Sequence, residues 1–223
     1  MTVRPRGLIF DFDGVLLESE YEGNRHLAQL LTELGHDHSV AETNRHYTGL
    51  SGPDFVAAIE RRIGTKLPFD FHDRVRARSR VLLRDGIAAV AGAVEFVRSL
   101  PRDLPRAVAS SSSTQWIRGH LEHLGLAEDF GDHLYSGREH VDRGKPQPDI
   151  YLHAAKEIGV PIADSAILED SVVGATGALA SGARVIGLAA GAHCSDGHDR
   201  LLQDVGVREI AYTFDDVRRL LEL

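Results

Sequence analysis

The stretch "LIFDFDGVLLES", residues 8–19, places two aspartates directly after a short apolar run. Residues 8–10 have the composition of a strand that is buried on both faces, as in a parallel sheet. Burying an unpaired carboxylate costs several kcal/mol, so Asp11 and Asp13 must lie at the end of this strand and find partners elsewhere in the chain. Side chains two residues apart on an extended backbone point the same way, so both carboxylates face the same side.

Short apolar runs alternate with segments of helical length over most of the chain. The apolar runs are LIF at 8–10, AVA at 107–109, AIL at 166–168 and RVIGL at 184–188. Helical patterns lie between them at 91–100, 115–124, 150–158 and 172–181. Strands that alternate with helices form a parallel sheet covered on both faces. The sequence therefore predicts an α/β fold, with a Rossmann-like three-layer α/β/α core around a parallel sheet.

The alternation breaks once, after the first strand. Apolar residues recur there at helical spacing, at Leu27, Leu30, Leu31 and Leu34 and again at Phe55, Ile59 and Ile63. The sequence SGPD at 51–54 has the pattern of a helix start with Ser51 as N-cap. We therefore predict a small all-helical cap domain at residues 18–86, inserted into a core formed by residues 1–17 and 87–223.

Composition limits the partners and the setting. The 223 residues include 33 acidic and 25 basic side chains, a formal charge of −8, which argues against nucleic acid or an anionic membrane and favours a small-molecule partner. The single cysteine, Cys194, excludes an internal disulfide, and the N-terminus has no apolar signal stretch. These features predict a cytoplasmic setting. The sequence does not fix the oligomeric state, and a monomer is compatible with it.

Polar groups follow four of the predicted strands or precede the helices after them. They are Asp11 and Asp13, Ser110 in AVASSSST at 107–114, Lys145 in RGKPQPD at 143–149, and Glu169 with Asp170 in ILEDS at 167–171. Sites in open parallel sheets form in the crevice beyond the carboxyl ends of the strands. Thr114 is the predicted N-cap of the helix near residue 115, and free amides at a helix N-terminus bind phosphate.

Three or four carboxylates on adjacent strand ends repel one another unless a cation lies among them. Hard oxygen ligands next to a phosphate-binding group suit Mg²⁺. A magnesium ion together with Lys145 would explain how the two aspartates after the first strand can lie so close together.

The motifs DFDGV, ASS, GKPQPD and LEDS occur in this order at residues 11–15, 109–111, 144–149 and 168–171. They resemble the four signature motifs of the haloacid dehalogenase-like hydrolase superfamily, in the phosphatase and beta-phosphoglucomutase-like branch that carries a helical cap after the first strand. The resemblance spans nearly the whole chain, although the cap matches only by position and helicity.

The resemblance implies a role for each motif residue. Asp11 would be the nucleophile that forms an aspartyl-phosphate, and Asp13 would be the general acid and base. Ser110, Ser111 and Lys145 would bind the phosphate.

The resemblance also implies a metal site and a specificity region. Mg²⁺ would be held by Asp11, by the backbone carbonyl of Asp13, by Asp170 and by Glu169. Substrate-binding residues of the cap would include Glu20, Gly49, Leu50 and Ser51.

Three functions are compatible with these motifs. The leading hypothesis is a Mg²⁺-dependent phosphatase that hydrolyses a small phosphorylated metabolite, such as a sugar phosphate, with water attacking the aspartyl-phosphate. A beta-phosphoglucomutase-like phosphomutase is an alternative. The segment TGLSGPD at 48–54 has no basic residue, and Gly23 stands where those mutases carry a histidine, but Arg45 and His46 keep this alternative open. A non-enzymatic binding module on the same fold is the third possibility.

Two other features receive structural interpretations. The segment HCSDGH at 193–198 offers His193, Cys194 and His198, but it lacks a recognised ligand spacing and is predicted to be a surface loop. Trp116 is predicted to pack at the start of its helix.

Overall fold

The computed structural model describes residues 4–47 and 52–223 of the chain. The described residues contain one six-stranded sheet, whose strands are β1 (Gly7–Phe10), β2 (Arg106–Ser110), β3 (Leu134–Ser136), β4 (Ser165–Glu169), β5 (Arg184–Leu188) and β6 (Glu209–Ala211). All strand pairs are parallel, and the spatial order is β3-β2-β1-β4-β5-β6. Chain order therefore reverses direction at β1, between β2 and β4.

Eleven helices accompany the sheet in the same residues. They are α1 (Ser19–Glu33), α2 (Val40–Tyr47), α3 (Gly52–Ile63), α4 (Phe71–Asp85), α5 (Ala93–Ser99), α6 (Thr114–Leu124), α7 (Ala127–Phe130), α8 (Asp149–Glu157), α9 (Val172–Ser181), α10 (His198–Asp204) and α11 (Phe214–Leu221). None of the helices described here has the length and apolar composition needed to cross a membrane.

The sheet is buried on both faces, which the apolar strand runs predicted. Leu8 and Phe10 of β1 pack in a core with residues of α5, α6 and α11, whereas Ile9 packs in a second core with residues of α8, α9 and α10. This division follows from the alternation of side chains along a strand. The three-layer α/β/α architecture predicted from the sequence is confirmed.

The structure differs from the sequence prediction at the sheet edges and at one helix cap. The edge strands β3 and β6 have three residues each and no apolar run that would mark them. Helix α6 begins at Thr114, and its N-cap is Ser113, whose hydroxyl accepts a hydrogen bond from the Trp116 amide at 3.3 Å. Thr114 is therefore the first residue of the helix and not its cap.

Helices α1 to α4 share a small core of their own, formed by the buried side chains Leu27, Leu30, Leu31, Tyr47, Ile59 and Phe71. The chain enters and leaves this helical segment through two stretches that lie side by side. The Glu18 amide donates to the Ala88 carbonyl at 2.9 Å, and the Val90 amide donates to the Leu16 carbonyl at 3.1 Å. The predicted N-cap Ser51 lies outside the described residues.

Replacing Phe96 by alanine should destabilise the protein by about 3–5 kcal/mol, because it leaves a cavity in the larger core. The Phe96 ring is buried, with its centroid 6.3 Å from that of Phe10 and 5.2 Å from that of Phe214. Urea unfolding measures the change. Phe69 is 96% exposed and serves as the matched control, since F69A should alter the free energy of unfolding by no more than about 0.5 kcal/mol. Equal losses in the two variants would contradict the assignment of Phe96 to the core.

Candidate active site

The motif residues meet at the carboxyl ends of β1 and β4, next to the point where chain order reverses. The Asp11 amide donates to the Leu168 carbonyl at 2.9 Å, so the hydrogen-bonded ladder extends one residue beyond β1. Glu169 ends β4 and Asp170 follows it directly. Crevices of this kind are the usual ligand sites of open parallel sheets.

Asp11, Glu169 and Asp170 form a buried carboxylate cluster, in which one oxygen of each lies within 4.8 Å of the others. Burial and the negative charge of Glu169 hold the pKa of both aspartates well above the usual value. The turn after β1 makes this approach possible, because Gly14 has φ +84° and a Cβ there would lie 2.0 Å from Asp170 Oδ2.

The donor set fits a hard divalent cation. The cluster supplies only carboxylate oxygens, which Mg²⁺ prefers, and a cation among them would relieve their mutual repulsion. Asp170 Oδ1 is buried and has no hydrogen-bond partner among the described residues, so it has lone pairs to offer. The residues therefore suit the predicted magnesium ion.

Lys145 lies between two members of the cluster. Its ammonium donates to Asp11 Oδ1 at 2.5 Å and to Glu169 Oε2 at 2.8 Å, and its side chain is 5% exposed. Burial alone would lower the pKa of Lys145, but the charges of Asp11 and Glu169 outweigh it and hold the pKa well above the usual value. The ammonium therefore stays charged and fixes one oxygen of Asp11.

Glu169 is held by more donors than any other carboxylate of the cluster. Besides Lys145, Glu169 accepts hydrogen bonds from the Tyr151 hydroxyl at 2.6 Å, from the Asp170 and Ser171 amides at 3.1 and 3.0 Å, and from the Ser171 hydroxyl at 2.9 Å. A Cβ at Gly174 would lie 1.8 Å from Glu169 Oε2, so only glycine leaves room for this carboxylate. A carboxylate offers about four lone-pair positions, so contact with a metal ion would require Glu169 to release one of these donors.

Asp13 lies outside the carboxylate cluster and accepts four hydrogen bonds of its own. Ser19 Oγ and Trp116 Nε1 donate to Oδ1 at 2.6 and 3.1 Å. Ser110 Oγ and Ser112 Oγ donate to Oδ2 at 3.1 and 2.6 Å. The prediction that Trp116 only packs is thus incomplete, since its indole N–H reaches the site. Ser19 and Ser112 were also missed, because neither stands out within its polar surroundings in the sequence.

The predicted phosphate ligands lie beside Asp13. Ser110 ends β2 and is buried, and its hydroxyl also accepts the Ser112 amide at 2.9 Å. Ser111 is exposed in the turn that leads to α6. Their contact with a phosphate stays a prediction.

The predicted substrate-binding residues of the helical segment are described only in part. Glu20 lies in the first turn of α1, where burial and the nearby charge of Asp13 raise its pKa. Gly49, Leu50 and Ser51 lie outside the described residues.

The segment 193–198 is exposed at Ser195, Asp196 and Gly197, as predicted for a surface loop, but its histidines reach the site. His193 is buried, and its Nε2 lies 2.9 Å from Asp170 Oδ2. His198 Nε2 donates to the Asp170 carbonyl at 2.7 Å. The preceding residue, Ala192, donates its amide to the Glu18 carboxylate at 2.9 Å. Two histidines therefore contact Asp170, and no ligand spacing in the sequence indicates this.

Comparisons with known proteins agree with this geometry. A family model described as haloacid dehalogenase-like hydrolase matches residues 5–182. The crystal structure of a haloacid dehalogenase-like protein from Agrobacterium tumefaciens has 31% identity and a TM-score of 0.88, with 96% of each chain covered. A haloacid dehalogenase family hydrolase from Deinococcus radiodurans, solved with bound phosphate and sodium, has 29% identity and a TM-score of 0.85, covering 98% of this chain and 96% of its own.

A curated relative is similar to this protein over nearly the whole chain. The 6-phosphogluconate phosphatase of Escherichia coli is 25% identical over 221 residues, which cover 99% of this chain and 95% of the relative. Because the family match covers most of the chain and the four strand-end motifs meet in one site, this protein is an enzyme that belongs to the haloacid dehalogenase-like hydrolase family.

Proposed function

We propose that this enzyme is a Mg²⁺-dependent phosphatase that hydrolyses a small phosphorylated metabolite, a sugar phosphate or a similar polyol, through an aspartyl-phosphate on Asp11. The observation that carries the proposal is the Asp11 carboxylate, which is fixed by Lys145 at 2.5 Å and lies beside Asp170 at the end of β1. The similarity to a bacterial phosphatase of a phosphorylated sugar acid supports this substrate class.

The carboxylates of Asp11 and Asp170, with the Asp13 backbone carbonyl and Glu169, would hold the magnesium ion. When bound, Mg²⁺ supplies positive charge that offsets the charge of the phosphate oxygens and of the attacking carboxylate. Lys145 adds a second fixed positive charge, which is buried between Asp11 and Glu169. A carboxylate can approach an anionic phosphate only where such charges are already in place.

In the first step, an oxygen of Asp11 attacks phosphorus and the bond from phosphorus to the ester oxygen breaks. The bond that forms makes the aspartyl-phosphate, and Asp13 gives a proton to the leaving alkoxide. Lys145 keeps Asp11 in one rotamer, while Ser110 and the amides before α6 bind the phosphate oxygens. Positioning and electrostatics supply most of the catalysis in phosphoryl transfer.

In the second step, Asp13 takes a proton from a water molecule, which attacks the phosphorus of the aspartyl-phosphate. The bond between phosphorus and Asp11 breaks, inorganic phosphate leaves, and the Asp11 carboxylate is regenerated. Asp13 therefore acts first as acid and then as base, and it ends the cycle protonated as it began. Asp13 accepts four hydrogen bonds when it is ionised, so one donor must turn away when the carboxyl group carries the proton, and the remaining donors hold the group in position.

We also propose that residues 18–86 act as a cap over the strand ends. Helices α1 to α4 have their own core, and the paired stretches at Leu16–Val90 and Glu18–Ala88 form a narrow connection suited to a hinge. Ser19, the first residue of α1, reaches Asp13 at 2.6 Å. The cap is thus connected to the acid and base of the reaction, and its closure would exclude water from the first step.

Replacing Asp11 by asparagine should lower turnover at least about a thousandfold, because the amide cannot form the acyl-phosphate bond. Phosphate release measures turnover, and circular dichroism measures folding, which we expect to be unchanged. Asp132 is a suitable control, since its side chain is fully exposed and D132N should keep wild-type activity. Substantial turnover by D11N would rule out Asp11 as the nucleophile.

Phosphate release from a panel of sugar phosphates should require Mg²⁺ and should stop when EDTA removes the ion. The panel includes a hexose bisphosphate, for which we expect free phosphate as product. An isomerised bisphosphate without phosphate release would favour the phosphomutase alternative. Release from no member of the panel, with the ion present, would favour a binding module that lacks activity.

Replacing Trp116 by phenylalanine should lower kcat about fivefold with little change in KM. The variant removes one donor to Asp13, worth about 1 kcal/mol, and keeps an aromatic ring in contact with His120. S112A removes a different donor to the same carboxylate and should lower kcat in the same way. Unchanged kcat in both variants would show that these donors do not position Asp13.

A further inference from the structure

The segment behind Asp170 brings together three side chains that bind transition metals. His193, Cys194 and His198 each place a ligand atom within 4.8 Å of the other two. His193 and Cys194 lie between β5 and α10, and His198 is the first residue of α10. His193 is buried and the other two are half-buried. None of them has a role in the phosphatase mechanism proposed above.

The spacing of two of these atoms matches a tetrahedral site. His193 Nε2 lies 3.5 Å from Cys194 Sγ. A zinc ion with bonds of about 2.0 Å to nitrogen and 2.3 Å to sulfur separates the two ligand atoms by about 3.5 Å at the tetrahedral angle. The two side chains therefore have nearly the separation that a shared ion requires.

His198 is oriented in the way that metal-binding histidines usually are. Its Nε2 must carry the hydrogen, since it donates to the Asp170 carbonyl at 2.7 Å. In the neutral ring this leaves the lone pair on Nδ1. Histidine ligands commonly donate their other ring N–H to a carbonyl, which fixes the tautomer and the direction of the ring.

His193 supplies a second and independent observation. Its side chain is almost fully buried, yet Nδ1 has no hydrogen-bond partner among the residues that the structure describes. Buried polar atoms of this kind are rare and need an explanation. In the structure the Nε2 hydrogen faces the Asp170 carboxylate, and because nothing among the described residues competes for Nδ1, the hydrogen can move to Nδ1 and leave the Nε2 lone pair for a metal ion. Asp170 Oδ2, at 2.9 Å from His193 Nε2, is close enough to complete a set of four ligands.

We infer that His193, Cys194 and His198, with the Asp170 carboxylate as the fourth ligand, form a binding site for a borderline transition-metal ion such as Zn²⁺. Imidazole and thiolate ligands select such ions, whereas the all-oxygen cluster on the other side of Asp170 selects Mg²⁺. On binding, the thiol proton of Cys194 leaves to solvent as the metal–sulfur bond forms. The metal ion keeps its charge, and no oxidation or reduction is involved.

The site would regulate the enzyme through the shared ligand Asp170, an effect that rests on the proposed phosphatase function. When an ion is bound to Asp170 Oδ2, the same carboxylate has a lower affinity for Mg²⁺. The segment is also connected to the hinge, since the Ala192 amide donates to Glu18. Zinc is therefore an inhibitor that binds next to the catalytic site and shares the ligand Asp170 with it.

Cobalt binding to the full-length protein tests the site directly. Co²⁺ has an intense charge-transfer absorption only when a thiolate is a ligand, and Cys194 is the single cysteine of the chain. We expect this absorption to saturate at one equivalent of Co²⁺, to be displaced by Zn²⁺ and to disappear in C194S. H153N is the control, because His153 stacks on His140 in a separate histidine pair and its loss should leave the absorption unchanged.

Cobalt binding without the charge-transfer absorption, or an absorption that survives in C194S, would overturn the inference. H198N should weaken Co²⁺ binding at least about tenfold, provided that thermal unfolding shows a folded variant, and it keeps the thiol in place as a second test. Undiminished binding by folded H198N would also contradict the site.

Zinc inhibition at a fixed Mg²⁺ concentration tests the coupling. We expect C194S to require at least about tenfold more Zn²⁺ for half inhibition than the wild type. Equal inhibition of the two proteins would mean that zinc acts only by replacing magnesium. The cobalt measurement does not depend on activity, so a protein that binds Co²⁺ through Cys194 and releases no phosphate would refute the phosphatase and leave the metal site standing.

Discussion

The buried ammonium of Lys145 is the interaction on which the site depends. It contacts Asp11 after β1 and Glu169 at the end of β4, and its own loop follows β3, so one charge joins three parts of the sheet. Removing one partner of such a buried pair costs several kcal/mol, because the other charges are left uncompensated. The carboxylate cluster is therefore stable only while the loop before α8 holds Lys145 in place. Catalysis and folding share this requirement.

Glu169 fixes the positions of the other charged side chains in the active site. Its five donors fix the carboxylate, the fixed carboxylate orients Lys145, and Lys145 orients Asp11, the proposed nucleophile. Small residues make the arrangement possible, since the α carbon of Gly174 approaches Glu169 and that of Gly14 approaches Asp170 more closely than any side chain would allow. The proposed nucleophile is thus held by neighbours that have no part in the proposed bond making, as preorganised electrostatic catalysis requires.

The sequence predicted the parts of the fold that depend on local pattern. Apolar runs located β1, β2, β4 and β5, and the rule that sites lie beyond parallel strand ends located Asp11, Lys145 and Asp170. It failed where a contact depends on how elements pack. The indole of Trp116 reaches Asp13 only because α6 begins just after the end of β2, the strand that pairs with β1, and His193 is buried only because its segment folds back onto Asp170. Neither contact has a signature in spacing or composition, and the three-residue edge strands have too little pattern to detect.

The stretch 8–19 also explains why the helical segment and the chemistry are coupled. Within twelve residues the chain provides strand β1, the proposed nucleophile Asp11, the turn at Gly14 and the first residue of α1. Ser19 holds one oxygen of Asp13 and Glu18 holds the Ala192 amide, so both residues at the entrance to α1 bind groups that surround the site. A rotation of α1 about this entrance changes the hydrogen bonds of Asp13 and of the segment that supports Asp170 together. The proposed acid and base, Asp13, and the segment that supports the proposed metal ligand Asp170 would therefore respond to one motion, because a single short connection carries both contacts.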